Sequence, residues 1–362
     1  MAWDALLSLK PRSPVESRSW PVRVLKFNAV MAIIVWIGWF LLGGAFARHS
    51  IVANWPVAVT MIFGSLVGGG TSEGGGAVAF PVFTKVLHIP PHEARVFAFA
   101  IQSIGMGAAS LSILYNRIPV ERRVLPWAGS AGILGLLAST YLIVPHVPAP
   151  LVKISFTVMV SSLAVALLVM NHREKDIRNE LCPIFETREK LLIFLAGFLG
   201  GLMSGLVGCG ENIAVFMVMV LLFRVSEKVV TPTTVILMTI VTLAGFALHV
   251  FAVRDFPPHV QSYWLAAVPI VAVGAPLGAF LCSLMTRRTI ANILIFLIAV
   301  EFVSTIILIP MSRAVALTAA GTLVVFGLLN WLMSRVDIYR TAYQQQEPPS
   351  PGSEEALALS EP

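Results

Sequence analysis

Residues 68–76 read Gly-Gly-Gly-Thr-Ser-Glu-Gly-Gly-Gly, with six glycines among nine residues, in the middle of a long apolar run. That run covers residues 51–88, about 38 residues, whereas about 20 helical residues suffice to cross the hydrocarbon core of a bilayer. Each glycine disfavours helix by about 1 kcal/mol relative to alanine. The sequence therefore predicts two half-helices joined by an irregular turn at the glycines.

A related stretch interrupts a second apolar run, residues 191–223. Residues 205–211 read Gly-Leu-Val-Gly-Cys-Gly-Glu. This run is also too long for a single crossing, and it should unwind at its glycines for the same reason. We therefore expect one broken-helix hairpin in each half of the chain.

The composition indicates a membrane protein. The chain is 57% hydrophobic and only 12% charged, about half the charge share of a soluble domain. Residues 124–152 and 229–253 contain no Lys, Arg, Asp or Glu and are each long enough to span a bilayer. The formal net charge of +6 is then explained by basic cytoplasmic loops, so we expect lipid and not nucleic acid as a partner.

The basic residues predict the orientation in the membrane. With the N-terminus in the cytoplasm, 19 of the 25 Lys and Arg residues fall on the cytoplasmic side, where basic loops concentrate. We therefore expect a multi-pass protein of the cell (inner) membrane with both termini cytoplasmic. Besides the two hairpins, the candidate spans are residues 28–46, 96–115, 124–144, 151–170, 229–253, 263–284, 289–309 and 314–333. The basic residues left outside are Arg48, Lys85, Arg95, Lys153, Arg254 and Arg313.

The odd number of spans between the two hairpins predicts an inverted-topology repeat. The first hairpin starts and ends on the outer side, the second starts and ends on the inner side, and three spans follow each, as in many secondary transporters. The expected fold is all-α, an inverted repeat of a broken-helix hairpin plus three spanning helices, with one extra helix at each end. Matching residues support the duplication: Gly70 and Glu73 pair with Gly208 and Glu211 at a shift of 138, and Pro126, Leu134 and Gly135 pair with Pro269, Leu277 and Gly278 at a shift of 143.

This arrangement divides the chain into seven expected segments. The last one is rich in Gln, Pro, Ser and Glu, a composition that cannot bury a core. The segments are a cytoplasmic tail (1–27), a first flanking transmembrane helix (28–50), repeat 1 (51–170), a cytoplasmic loop (171–190), repeat 2 (191–310), a last flanking transmembrane helix (311–333) and a disordered cytoplasmic tail (334–362).

The two breaks have the character of an anion site. Unwound backbone at membrane depth must be buried in protein or line a cavity. Half-helices beginning near Gly74 and Glu211 would aim free N–H groups, and about half a positive charge each, at the middle of the membrane. The alternative is that the glycines only allow close helix packing. The residues expected to contact the anion are Gly70, Thr71, Ser72, Glu73, Gly74, Gly75, Gly76, Gln102, Gly208, Cys209, Gly210, Glu211, Asn212, Thr233 and Thr234.

Polar residues on the helices that follow the breaks complete this set. The amide of Gln102 and the hydroxyls of Thr233 and Thr234 suit an oxyanion, although Ser and Thr also bond helix to helix in membranes. Cys209 could contact a sulfur substrate or simply fill space as a small buried thiol.

The residues around the breaks resemble the TauE/SafE sulfite exporter family of membrane transporters. The resemblance rests on a small-residue helix, a glycine cluster, a short apolar run and a proline, and it covers most of residues 50–310. The second copy departs from the family pattern, because Glu211 and Asn212 stand where two further glycines are expected. The resemblance implies transport of sulfite, organosulfonates or related small anions. The residues that carry it are Gly64, Gly68, Gly74, Gly75, Gly76 and Pro81 in the first copy and residues 200–210 in the second.

Three carboxylates fall within segments at membrane depth: Glu73, Glu211 and Glu301. An intramembrane charge is costly, so each should face protein or water, or carry a proton. Glu73 and Glu211 could couple anion transport to protons, being neutral when the anion is bound. They could equally be structural carboxylates that cap a half-helix. Glu301 could relay protons or bond a hydroxyl on a neighbouring helix.

These features favour a secondary transporter that moves a small anion by alternating access. The alternatives are an anion channel and a membrane-embedded protein without a transport role. We expect no enzyme and no catalytic residue, because an HExxH motif is missing and no His lies mid-span. The three cysteines and seven histidines lack ligand spacing, so no metal and no cofactor are expected. A homo-oligomer is compatible with the sequence.

Overall fold

The computed structural model describes residues 14–72, 74–75, 82–172, 178–310 and 312–336. Glu73 and Gly76 of the expected site, Pro81, and the segments 1–13 and 337–362 lie outside these ranges. The helices are α1 (Pro14–Ala53), α2 (Trp55–Gly70), α3 (Pro91–Tyr115), α4 (Val124–Ala138), α5 (Ala149–His172), α6 (Thr187–Val207), α7 (Glu211–Met217), α8 (Glu227–Ala247), α9 (Pro258–Leu284), α10 (Arg287–Leu308) and α11 (Arg313–Arg335). Short π-helical segments at Ser139–Ile143, Val218–Leu222 and Leu248–Val253 continue α4, α7 and α8, and another at Val82–Val86 precedes α3.

The expected class, an all-α polytopic membrane protein, is confirmed. In the described ranges, nine helices are long and apolar enough to cross a membrane, and α2 and the helix Glu211–Leu222 are shorter apolar helices. The apolar window of α3 is 83% buried, whereas those of α1 and α11 are only 11% buried. Helix α3 therefore lies at the centre of the bundle, and the two terminal helices lie at its periphery.

The first helix is longer than the sequence suggested. It begins at Pro14, so residues 14–27, expected in a tail, are helical instead. A proline is well suited to the first helical position, because its missing N–H has no partner there in any case. The helix is kinked at Gly44, where φ is 50° and ψ is −131°, a conformation that glycine adopts without steric cost.

Both hairpins break where the glycine-rich stretches predict. Helix α2 ends at Gly70, and the next residue, Thr71, is extended. Helix α6 ends at Val207, and α7 begins at Glu211. Between them, Gly208 and Gly210 have φ of 91° and 144°, in the left-handed region that favours glycine.

The first half of each hairpin packs on a helix from the other half of the chain. Helix α2 packs on α9, and α6 packs on α4. A Cβ atom built on Gly69 would lie 1.9 Å from Ala275 O, and one built on Gly201 would lie 2.2 Å from Gly132 O. Backbone therefore meets backbone at both crossings, and a side chain at either glycine would prevent it.

These crossings relate the two halves of the chain in a specific register. Gly69 and Gly201 are 132 positions apart, and their contacts Gly132 and Ala275 are 143 positions apart. The separation of 143 equals the shift found in the sequence between α4 and α9. The separation of 132 differs from the shift of 138 between the two glycine clusters. The exchanged crossings are the arrangement that an inverted repeat predicts, and the repeat itself stays a prediction.

We predict that Gly69→Ala and Gly201→Ala each lower the stability of the protein by about 1–3 kcal/mol, because each added methyl overpacks a backbone crossing. The measurement is thermal unfolding of the purified protein in detergent. Gly321→Ala in α11 is the matched control, since nothing lies within 4 Å of a Cβ built there. The control should unfold like the wild type or be up to about 1 kcal/mol more stable. Equal stability of all three variants would contradict the backbone contacts.

Candidate functional site

The first break places Ser72 among the threonines of α8. Its side chain is buried. Thr234 Oγ1 donates to Ser72 Oγ over 3.1 Å, and Ser72 Oγ lies 3.4 Å from Thr231 Oγ1. We call Ser72, Thr231 and Thr234 the hydroxyl cluster. Because a hydroxyl can rotate to donate or accept, these three groups can turn their protons towards an oxyanion.

The two breaks meet at this cluster. Asn212, the second residue of α7, donates through Nδ2 to the backbone oxygen of Ser72. In return, Gln102 on α3 donates through Nε2 to the backbone oxygen of Gly208 over 3.0 Å. Each unwound stretch thus receives a side-chain amide from the other half of the chain. The buried oxygens Gln102 Oε1 and Asn212 Oδ1 have no hydrogen-bond partner among the described residues.

Glu211 starts the helix after the second break and is fully buried. Ser204 Oγ donates to Glu211 Oε2, and the backbone N–H of Glu211 donates to Ser204 Oγ over 3.1 Å. The carboxyl therefore connects the start of α7 to α6 through the hydroxyl of Ser204. Its other oxygen, Oε1, is buried without a partner in the described part of the chain.

The structure brings some of the expected site residues together. Ser72, Gln102, Gly208, Asn212 and Thr234 surround the junction of the two breaks. Gly74 lies beside them, because a Cβ built there would be 3.6 Å from Gln102 Oε1 and 2.6 Å from Met238 Cε.

Other expected residues have different surroundings. Thr233 faces away from the junction, accepting the Glu121 N–H over 2.8 Å and donating to Val229 O over 2.6 Å. Consecutive residues of an α-helix differ by about 100° in direction, so Thr233 and Thr234 cannot face the same group. The other described residues of the expected site have these contacts: Gly70 lies against the backbone of Gly278, Gly75 against Gly64, Gly210 against Met203, Thr71 donates to Val67 O, and Cys209 belongs to an apolar cluster.

Arg95 is a residue of this region that the sequence did not predict. The charge pattern places it outside the membrane, but its side chain is buried on α3 and Nη1 donates to Gly205 O over 3.3 Å. Arg95, Ala98 and Gln102 follow each other at i, i+3 and i+7, so they share one helix face. That spacing was the available signal, since Gln102 was already a candidate.

Arg95 belongs to an outer-end group together with His249 and Asp255. His249 Nδ1 and Asp255 Oδ1 are 2.7 Å apart, and the His249 ring stacks on Phe99. Burial alone would raise the pKa of Asp255, but the hydrogen bond with His249 and the positive charge of Arg95 bring it below its ordinary value of 3.8. The group lies at the end of the molecule that the charge distribution predicts to be outer.

A small cavity lies beside the first break. Its volume is about 20 Å³, and its lining includes Gly64, Gly75 and Gln102. About 10–15 Å³ is enough for one water molecule, so an anion of several heavy atoms needs more room than this cavity offers. Met61 and Met106 also line it, and methionine side chains rearrange readily because they are unbranched and flexible.

The comparisons with known proteins identify the family. A family model described as sulfite exporter TauE/SafE matches residues 57–305, more than half of the chain. The chain belongs to the TauE/SafE family. Searches of curated proteins and of solved structures found no match. The resemblance drawn from the glycine clusters is thereby confirmed, and the nine apolar helices agree with a multi-pass membrane transporter of this family.

We predict that Asp255→Asn destabilises the protein near neutral pH. Because the folded-state pKa of Asp255 is lowered, the ionised carboxylate stabilises the fold above the ordinary value of 3.8, and this contribution is lost as the pH falls through the folded-state pKa. Unfolding in detergent, measured from pH 7 downward, should show the wild type and the variant converging below pH 3.8. Glu180→Gln, at an exposed carboxylate, is the control, and a constant difference at every pH would contradict the prediction.

Proposed function

We propose that this protein is a secondary transporter that carries sulfite or an organosulfonate-type anion across the cell membrane by alternating access. The observation that carries the proposal is the meeting of the two breaks, where Asn212 of one half bonds the backbone of Ser72 in the other. Family membership supports a sulfur anion as cargo. Both termini are proposed to lie in the cytoplasm.

The proposed binding site is the junction of the breaks. Its donors are the hydroxyl cluster and the side-chain amides of Gln102 and Asn212, all neutral groups that suit the oxygens of a compact oxyanion. The helix Glu211–Leu222 begins here and adds the partial positive charge of its N-terminus. The anion would displace the present bonds between the hydroxyls and rotate their protons towards itself.

The crossed bonds also support alternating access. Gln102 from the first half holds Gly208 in the second, and Asn212 from the second half holds Ser72 in the first. A movement of one half against the other must therefore break or exchange bonds at the site itself. An anion that replaces these bonds would link its own binding to the movement, as expected for a carrier.

We further propose that Glu211 couples transport to protons. Its carboxyl is fully buried and has no cationic partner among the described residues, and the ionised form is costly in such surroundings. A neutral carboxyl beside the bound anion would avoid repulsion between two negative charges. Glu73, in the corresponding stretch of the first half, is proposed to act in the same way.

Binding is tested by thermal stabilisation of the purified protein with sulfite, thiosulfate, sulfonates, sulfate and carboxylates. A ligand at 100 times its Kd stabilises the folded state by about 2.7 kcal/mol. We predict that sulfite stabilises the wild type and that Ser72→Ala combined with Thr234→Val abolishes this effect. Thr318→Val is the matched control, because that hydroxyl is exposed and bonds only its own helix. Stabilisation by carboxylates, with the sulfur oxyanions silent, would overturn the substrate assignment.

Coupling is tested by sulfite uptake into proteoliposomes as a function of pH. We predict that Glu211→Gln and Glu73→Gln remove the pH dependence, because the amide mimics a permanently protonated carboxyl. Glu301→Gln is the control, since that carboxyl is also buried but bonds Thr157, away from the breaks. Unchanged pH dependence in both test variants would refute proton coupling. Uptake that rises linearly without saturation would indicate a channel instead of a carrier.

A further inference from the structure

Arg95 is a buried arginine that keeps one buried side-chain N–H, on Nε, without a partner among the described residues. Its residue exposure is 8%, Nη1 donates to Gly205 O, and the buried Nε has no partner among the described residues. A buried donor left without a partner destabilises the folded state, and more so when it is charged. A guanidinium presents five N–H donors in a planar fork, so this side chain can accept a ligand with several oxygens.

The position of Arg95 connects the outer-end group to the second break. Gly208 packs directly on this turn of α3, since a Cβ built on it would lie 2.9 Å from Ala98 Cβ and 3.1 Å from Arg95 O. One turn further, Gln102 bonds Gly208 O. One face of α3 therefore runs from a cationic group, along the second break, to the amide at the junction.

We propose that Arg95 binds the transported anion at the outer approach to the second break. The inference rests on the proposed function and adds a second, charged station to the neutral junction. The ligand class is a small sulfur oxyanion with at least two oxygens free, which the guanidinium can hold by two parallel N–H donors. The anion then passes along α3 to Gln102 and the hydroxyl cluster.

A purely structural role for Arg95 explains less. A cap on the end of α6 needs one donor to a carbonyl, and a lysine would supply it equally well. The structure shows that single bond, to Gly205 O, and leaves Nε buried beside it. The unused donor is accounted for when an anion is the second partner.

Asp255 is the charge that competes with the anion. Its carboxylate is 34% exposed, bonds His249 and attracts Arg95 without forming an ion pair with it. Among the described residues, Asp255 is the titratable group whose charge acts on this guanidinium, and His249 bonds Asp255. A nearby carboxylate weakens the field that an incoming anion feels, so it should limit affinity at this station and favour release.

The test measures sulfite uptake by proteoliposomes and thermal stabilisation by sulfite in the full-length protein. We expect Arg95→Gln to raise KM for sulfite by about tenfold or more, because hydrogen bonds to a charged group contribute about 1.5–3 kcal/mol, with a smaller effect on the maximal rate. Arg95→Lys should recover part of the affinity, since it keeps the charge but not the fork. Asp255→Asn should lower KM.

Arg254→Gln is the matched control, because it removes an exposed positive charge at the same end of the molecule. Wild-type KM in Arg95→Gln, or an effect of the same size in Arg254→Gln, would overturn the inference. If Arg95→Gln does not fold, Asp255→Asn decides, since it retains the contacts of Arg95: an unchanged or higher KM overturns the inference. A wild-type protein that neither binds nor transports sulfite or a sulfonate overturns the proposed function and this inference with it, whereas wild-type transport with unaltered variants overturns the inference alone.

Discussion

Backbone polar groups at a helix break find no water inside a bilayer, and this constraint shapes the centre of the molecule. Each break here is satisfied by an amide side chain from the other half of the chain. Asn212 bonds the carbonyl of Ser72, and Gln102 bonds the carbonyl of Gly208. Neither half can therefore complete its own break. The bonds that make unwound backbone tolerable are also the bonds that join the two halves.

Glycine is needed because these amides are short and the helices must approach closely. At Gly69 and Gly201 the backbones of two helices touch. Within each hairpin, the returning chain packs against a glycine of the first half-helix. Gly75 lies against Gly68, and Glu211 lies against Gly200. The first hairpin closes after seven residues and the second after eleven, a difference of about one helical turn. The second break therefore lies about one turn further from its backbone crossing than the first break does. For this reason the shift between the two glycine clusters differs from the separation between Gly69 and Gly201.

The sequence predicted the features that depend on composition and on glycine content. These include the membrane class, eight of the nine long helices in the described ranges and the two breaks, at Gly70 and after Val207. The ninth long helix is α6, which was expected as a half-helix but has 21 residues. It also supplied most residues of the junction. It could not predict which threonine of α8 faces the junction, because Thr233 and Thr234 are adjacent in one polar stretch. In the structure Thr234 faces Ser72 and Thr233 faces Glu121. Arg95 was missed because a charge-counting rule assigns every arginine near a span end to water, whereas this one turns inward.

A carrier must bind its cargo strongly enough to select it and weakly enough to release it. In the proposed mechanism, selection of the cargo and its release depend on different residues. The junction offers neutral hydroxyls and amides, which fit an oxyanion but hold a single negative charge with moderate strength. Arg95 offers a full charge, but Gly205 O already occupies one of its donors and Asp255 lies nearby. Each station is therefore incomplete by itself, and the anion can exchange between them because neither holds it with all the donors it could accept.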